Sequence, residues 1–113
     1  MMKPKSGEVS LADLGMAAKT RPVIIISTDD PDPPRSLLIY IPLTSQNRGS
    51  KYEVSLAHVT WLAKDTVANV QGIGSLPLKR FERKIGVLST ADLSKVRQAL
   101  IYACNLRNNS SEP

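Results

Sequence analysis

The feature that most limits the fold of this chain is a pair of short apolar runs separated by a proline-rich loop. Pro22 to Thr28 and Leu37 to Leu43 are rich in β-branched and aliphatic residues and are too short for independent helices, so they predict buried strands. The segment between them, 29–36, contains three prolines, which remove backbone donors and fix φ. We therefore predict two antiparallel neighbouring strands joined by a loop.

The rest of the first 88 residues carries weaker strand patterns. Short apolar alternations predict further strands at about 8–14, 52–56 and 66–71, and Asn47 to Ser50 is a turn signal. Val67 and Val70 are the apolar anchors of the third of these strands. Lys84 to Leu88 are expected to bring the chain back toward the core. The chain has 113 residues, no internal repeat and no interdomain linker, so the sequence predicts a single domain over 1–113, with its core at about 7–106.

The C-terminal part of the chain changes to a helical period. Its apolar residues recur at spacings of three or four: Leu93, Val96, Leu100 and Cys104. This spacing predicts a helix over about 90–106, with Cys104 as a small buried hydrophobe. Ser89 is predicted to cap the helix, and Asp92 to reach back as in a capping box. The tail, 107–113, lacks apolar anchors and is predicted to be flexible. The resulting fold class is mainly β (α+β), a small antiparallel barrel with one C-terminal helix.

The composition favours an anionic partner. Fifteen Lys and Arg against ten Asp and Glu give a formal net charge of +5, which suits nucleic acid or an acidic protein segment. No apolar run approaches the ~20 residues that span a bilayer, and Lys3 and Lys5 precede no long apolar stretch, so neither a membrane segment nor a signal peptide is predicted. The single cysteine rules out an internal disulfide and fits a cytoplasmic protein.

Several kinds of site are excluded by the residues available. His58 is the only histidine, so a two-histidine acid–base mechanism within one subunit is impossible, and we interpret His58 as a partly exposed residue after a strand. One histidine and one cysteine do not make a structural zinc site. The acidic residues of 29–32 lie among prolines and indicate a solvated turn. Gly72-x-Gly74 lacks the third glycine of a dinucleotide fingerprint. We predict no metal and no cofactor.

Polar residues at the ends of the two central strands form the candidate site. Arg21 precedes the first apolar run, and Thr44-Ser45-Gln46 follow the second. Arg offers a planar fork of donors to phosphate, and the hydroxyls and the amide add neutral hydrogen bonds, so the set suits a phosphodiester. RNA carries its own nucleophile, the 2′-hydroxyl, and its cleavage by such a set needs no metal. On these residues alone, an exposed strand-start arginine and an ordinary turn are the better explanation.

The order of motifs along the chain resembles the MazF/PemK family of toxin endoribonucleases. The matching segments cover roughly residues 7 to 104: Gly7-Glu8-Val9 through Asp13-Leu14, Arg21-Pro22-Val23-Ile24-Ile25-Ile26-Ser27, Pro42-Leu43-Thr44-Ser45-Gln46, Val70-Gln71 and Lys84-Ile85-Gly86-x-Leu88-Ser89. The resemblance implies an SH3-like, CcdB-like barrel, a homodimer, metal-independent cleavage of single-stranded RNA, and neutralisation by a cognate antitoxin. It also implies that Arg21 and Thr44 are the catalytic residues.

The resemblance further assigns residues to substrate binding: Lys19, Ser45, Gln46 and Gln71. Two departures from the family pattern stand out. The connection 15–20 is shorter than the loop that helps shape the family's RNA groove, and the segment Gln71-Gly72-Ile73-Gly74-Ser75 lacks the arginine that often follows this glutamine. We therefore expect a slow enzyme. Two alternatives remain open, a non-catalytic barrel that binds nucleic acid or protein and a toxin that inhibits DNA gyrase.

Overall fold

The computed structural model describes residues 3–15 and 20–106. It contains seven strands and one α-helix: β1 (Glu8–Ala12), β2 (Arg21–Ile25), β3 (Leu37–Thr44), β4 (Glu53–Ser55), β5 (Val67–Asn69), β6 (Gly74–Pro77), β7 (Phe81–Val87) and α1 (Thr90–Ala103). Two short 3-10 turns, Val70–Gly72 and Leu78–Arg80, flank β6. The predicted tail 107–113 lies outside the described residues. Within the described residues, no helix has the length and apolar character needed to cross a membrane.

The strands form one antiparallel sheet in the order β4-β5-β3-β2-β1-β7, and β6 pairs with the first half of β3. The mainly β fold with one C-terminal helix is confirmed, as is the antiparallel pairing of β2 with β3. The sheet is not closed into a full barrel, since β4 and β7 are edge strands that do not pair with each other in the described sheet. β4 and β5 have only three residues each, too few to continue the sheet around to β7.

The core explains why β2 is an unbroken apolar run. Ile24 belongs to a cluster on the face that α1 covers, together with Ile41, Leu43 and Val96. Val23 and Ile25 point to the opposite face and join a second, smaller cluster with Phe81. Because β2 lies between β1 and β3 and is buried on both faces, it cannot show the polar alternation of a surface strand.

The start of α1 differs in one detail from the predicted capping box. Ser89 Oγ accepts a hydrogen bond from the Asp92 backbone N at 3.1 Å, so the N-cap is confirmed. The buried carboxylate of Asp92 instead contacts His58 Nε2, at 2.8 and 2.9 Å to its two oxygens. His58 is exposed, as predicted, and it joins the loop after β4 to the start of the helix.

The end of α1 corrects two predictions. Asn105 has φ of 55° and the Leu106 N–H bonds the Ile101 carbonyl at 2.9 Å, which is a Schellman termination. The helix therefore ends at Ala103 and not at about 106. Cys104 was predicted to be buried but is exposed, because it is the C-cap residue, at the point where the chain leaves the core stripe.

The region between β5 and β7 was the least well predicted. The strand expected over 66–71 ends at Asn69, whose side chain accepts from the Gln71 N–H at 3.1 Å and caps a 3-10 turn. Val67 and Val70 are buried, as expected of the anchors. β6 was not predicted, since its own Gly74 and Pro77 and the preceding Gly72 resemble a loop. β7, Phe81–Val87, contains most of the segment that was expected only to return toward the core.

Candidate functional site

The strand register brings Arg21 and Thr44 to the same end of the sheet. β2 and β3 are paired antiparallel, with Val23 opposite Pro42. Arg21 and Thr44 each lie two residues beyond this pair, at the same end of the strand pair, and side chains two residues apart on a strand share a face. Arg21 is exposed and lies beside Ala12 of β1, while Thr44 is half-buried at the last position of β3. An exposed cation and a hydroxyl thus lie at the same end of the sheet.

A groove of about 370 Å³ opens on this surface. We call it the polar groove, and its lining residues come from the end of β3, the following turn, β4, β5 and the 3-10 turn: Pro42, Thr44, Gln46, Arg48, Ser50, Tyr52, Glu53, Asn69 and Gln71. Nearly all of them carry a hydrogen-bonding side chain, and Arg48 is the one cation among the described lining residues. The groove is therefore suited to a polar or anionic ligand.

The predicted site residues divide into three groups. Thr44, Gln46 and Gln71 line the polar groove together. Arg21 lies on the same face, and neither it nor the exposed Ser45 is among the lining residues. Lys19 lies outside the described residues.

The sequence-based prediction missed most of the groove wall. Arg48 and Ser50 belong to a segment that was interpreted only as a turn, and Tyr52, Glu53 and Asn69 were interpreted only as strand residues. One available signal was the cation in a turn that directly follows Thr44-Ser45-Gln46. The contribution of Asn69 depends on the pairing of β5 with β3 and β4, which no local pattern reveals.

Thr44 is held in place by its own turn. Its Oγ1 accepts a hydrogen bond from the Gln46 backbone N at 3.1 Å, as in an ST-turn. A hydroxyl can accept and donate at once, and among the described residues no acceptor takes the Thr44 proton. Thr44 can therefore donate to a ligand oxygen in the polar groove without losing its structural hydrogen bond.

The wall formed by Gln71 depends on close packing at Gly72. A Cβ at Gly72 would lie 2.6 Å from Pro42 Cγ, so the 3-10 turn can approach β3 only with glycine at this position. Asn69 caps the same turn through its side chain. The backbone that carries Gln71 is thus fixed beside the polar groove by packing, and the Asn69 side chain by its cap hydrogen bond.

Glu53 is the one acidic residue that lines the groove among the described residues. Its carboxylate accepts hydrogen bonds from the Arg48 N–H at 3.0 and 3.1 Å, from the Ser50 N–H at 2.9 Å and from the Ser50 hydroxyl at 3.0 Å. The backbone hydrogen bonds from Ser50 and Arg48 lower the pKa of Glu53 below its ordinary value of 4.5. Glu53 is therefore a carboxylate near neutral pH, and its charge is directed toward the turn.

A metal centre is not indicated by the side chains. Among residues 3–15 and 20–106, no group of three or more His, Cys, Asp and Glu side chains is placed to hold a metal ion. The acidic residues near the proline-rich loop have other partners, since Asp29 accepts from the Ser6 N–H at 2.7 Å. The polar groove itself offers arginine, hydroxyl, amide and carboxylate groups.

Comparison with known proteins identifies the family. A model of the "PemK-like, MazF-like toxin of type II toxin-antitoxin system" matches residues 5–104. The chain belongs to this family of toxins. The resemblance inferred from the sequence motifs is confirmed by a match that covers most of the chain.

Solved structures of similar fold agree with the family assignment. An endoribonuclease in complex with its cognate antitoxin, from a mycobacterial species, is similar at a TM-score of 0.80 and 23% identity, covering 93% of this chain and 98% of the other. The Mycobacterium tuberculosis toxin MazF-mt6 is similar at a TM-score of 0.77 and 25% identity, and the match covers 89% of this chain and 99% of the other. A MazE–MazF structure from Deinococcus radiodurans is similar at a TM-score of 0.79 and 19% identity, and the match covers 95% of this chain and 100% of the other. This toxin-family chain therefore shares their fold over nearly its whole length.

Proposed function

We propose that this toxin-family protein is a metal-independent endoribonuclease that cleaves single-stranded RNA at the polar groove. The observation that supports the proposal is the pairing of β2 with β3, which brings Arg21 and Thr44 to the same end of the sheet, beside a groove lined by neutral donors and one further cation. A guanidinium and a hydroxyl facing one position are suited to the oxygens of a phosphodiester. Some of the similar structures are described as endoribonucleases, which supports the same reaction here.

The reaction uses the substrate's own nucleophile. The 2′-oxygen attacks the adjacent phosphorus and loses its proton to water, the bond from phosphorus to the 5′-oxygen breaks, and that oxygen takes a proton from water. The products are a 2′,3′-cyclic phosphate and a 5′-hydroxyl. Arg21 stabilises the charge that develops on the non-bridging oxygens, and Thr44 donates a hydrogen bond that orients the phosphate. Ser45, Gln46, Gln71 and Lys19 are assigned to binding the flanking RNA.

The direct test is cleavage of a single-stranded RNA by the purified protein in EDTA. We expect products that end in a 2′,3′-cyclic phosphate, detected by mass spectrometry. The matched substrate has the same sequence with a 2′-deoxy nucleotide at the cleavage site, and it should survive because its nucleophile is absent.

Failure of correctly folded protein to cleave any RNA would favour the alternative function, a non-catalytic toxin that binds nucleic acid or protein, including gyrase. The missing arginine after Gln71 is the observation that favours this alternative.

A homodimer is the proposed assembly. Val87 and Ile101 are 52% and 40% exposed and line one depression between β7 and α1. The Schellman turn brings the backbone of Leu106, 54% exposed, against Ile101. Apolar groups at the end of one helix suit a self-complementary contact about a two-fold axis. Sedimentation at micromolar concentration should give twice the monomer mass of 12.3 kDa, and a monomer alone would contradict the proposal.

An antitoxin with an acidic segment is the proposed protein partner. Two of the similar structures are complexes with antitoxin proteins, and this chain carries a net charge of +5. An acidic segment that used Arg21 and the polar groove would compete with RNA, and both would bind more weakly as salt rises. Simultaneous binding of a cognate peptide and RNA with unchanged affinities would contradict a shared site.

An RNA substrate and a free thiol at the exposed Cys104 both favour the cytoplasm as the compartment.

A further inference from the structure

One acidic side chain, Glu53, lines a groove that otherwise suits an anion. By charge alone, Glu53 should repel an RNA phosphate and weaken binding. Its hydrogen bonds indicate a different role, because the carboxylate accepts from three donors of the turn between β3 and β4. Its negative charge is thus engaged by the backbone of Arg48 and by both donors of Ser50.

The turn has little other support. Gly49 at its tip has φ of +66°, and no heavy atom of the described chain lies within 4 Å of where a Cβ would stand. Its remaining hydrogen bonds are local, such as the 2.8 Å bond from the Gly49 N–H to Asn47 Oδ1. Beside the 3.3 Å bond from the Glu53 N–H to the Ser50 carbonyl, the Glu53 carboxylate provides the side-chain hydrogen bonds that join this turn to β4. Glu53 itself is fixed as the first residue of β4, paired with Asn69 of β5.

The residue that this carboxylate holds most directly is Arg48. The Arg48 N–H is bonded to both carboxylate oxygens, at 3.0 and 3.1 Å, and its side chain lines the polar groove. Glu53 therefore sets the position of the Arg48 backbone, and with it the base of the side chain that carries the groove's cation. Without the Glu53 hydrogen bonds, the positive charge of Arg48 would still be present, but the side chain would no longer have a fixed position.

We propose that Glu53 is a positioning residue, whose carboxylate holds the 47–50 turn so that Arg48 presents its guanidinium to an RNA phosphate in the polar groove. The inference rests on the proposed RNA-cleaving function of the same groove. It predicts a change in RNA affinity that is opposite in sign to the change expected from net charge alone. Glu53→Gln raises the net charge by one, which on charge alone should tighten RNA binding; loss of positioning should weaken it.

The test measures binding of a single-stranded RNA that carries 2′-O-methyl groups throughout, so that cleavage does not interfere. Glu53→Gln should weaken binding roughly fivefold, and Arg48→Ala should weaken it at least as much and flatten its dependence on salt. The matched control is Glu82→Gln, which makes the same charge change at an exposed residue of β7 outside the groove. It should leave binding unchanged or slightly tighter. The double variant Glu53→Gln/Arg48→Ala should bind no more weakly than Arg48→Ala, because both act through one contact.

Two further readouts separate positioning from misfolding. With cleavable RNA, Glu53→Gln should raise KM and leave kcat unchanged, since Arg21 and Thr44 are untouched. The NMR amide signals of Arg48 and Ser50 should shift while those of β5 stay in place. Unchanged or tighter binding by Glu53→Gln, with wild-type cleavage intact, would overturn the Glu53 role alone. Wild-type protein that neither binds nor cleaves RNA would overturn the proposed function, and this inference with it.

Discussion

Two regions of the molecule use the same strands in opposite ways. In the middle of the sheet, Ile24 of β2 and Ile41 of β3 are fully buried under α1 and held by apolar packing. At the end of these strands, Arg21 and Thr44 are exposed or half-buried, and the neighbouring turns are held by hydrogen bonds. The apolar region supplies stability and a fixed register, and that register brings a cation and a hydroxyl to the same end of the sheet. Substitutions in the two regions should therefore affect different measured quantities.

The largest expected effect is on the reaction rate, at Arg21. Arg21→Ala should lower single-turnover RNA cleavage roughly a hundredfold or more, because it removes the donor that faces the developing charge. The melting temperature should change little, since the side chain is exposed. Arg21→Lys should restore little activity, because a point charge does not reproduce the guanidinium fork. Cleavage by Arg21→Ala at the wild-type rate would refute the site assignment.

The next effect is on stability, at the centre of α1. Val96 is fully buried between the helix and the sheet, so Val96→Ala should lower the free energy of unfolding by about 2 kcal/mol through lost packing and a residual cavity. The matched control is Gln98→Ala on the exposed face of the same helix, which should change stability by less than about 0.5 kcal/mol. The cleavage rate of folded Val96→Ala should equal that of the wild type. A large loss of rate with intact folding would show that the two regions are not separable.

A smaller effect on rate is expected at Thr44. Thr44→Val removes the hydroxyl and keeps the shape, so cleavage should fall by about tenfold, which corresponds to the loss of roughly one hydrogen bond to the phosphate. The Gln46 N–H also loses its acceptor, so the amide signal of Gln46 should shift. Equal rates for Thr44→Val and the wild type would limit the role of Thr44 to shaping the turn.

The smallest effect concerns pH and the Glu53 carboxylate. Its folded-state pKa is lowered from 4.5, so its stabilisation of the turn is fully present above pH 4.5 and is lost as pH falls through the lowered pKa. An NMR titration of the Glu53 carboxyl carbon should give a midpoint below 4.5, with the Arg48 and Ser50 amides following it. In Glu53→Gln these amides should not titrate together in this range. A midpoint at or above 4.5 would mean that the hydrogen bonds to the turn do not persist in solution.

The sequence was a good guide wherever a local pattern decided the structure. The apolar runs predicted β2 and β3, and the helical spacing of Leu93 and Val96 predicted α1, because burial on a face leaves a period in the sequence. Arg21 and Thr44 could be chosen because one precedes and the other follows a pair of adjacent apolar runs, and their roles are predictions. The family was also correctly identified from the order of the motifs.

The rest depended on contacts between residues that are distant in the sequence or on the exact end of an element. The groove wall joins Tyr52 to Asn69 through strand pairing, which neither segment predicts alone. Closure into a barrel failed because β4 and β5 are too short, and the sequence alone does not show how far a short strand continues. Cys104 followed the helical spacing but comes after the point where the positive φ of Asn105 ends the helix, so its exposure could not be read from periodicity.

The most direct test of the central claim, that Arg21 and Thr44 act on one phosphate, is a crystal structure of the protein with an uncleavable 2′-O-methyl RNA. We expect the non-bridging oxygens of a single phosphate to lie within about 3 Å of both the Arg21 guanidinium and the Thr44 hydroxyl, with the adjoining nucleotides in the polar groove. RNA bound with no phosphate in reach of both side chains would contradict the account.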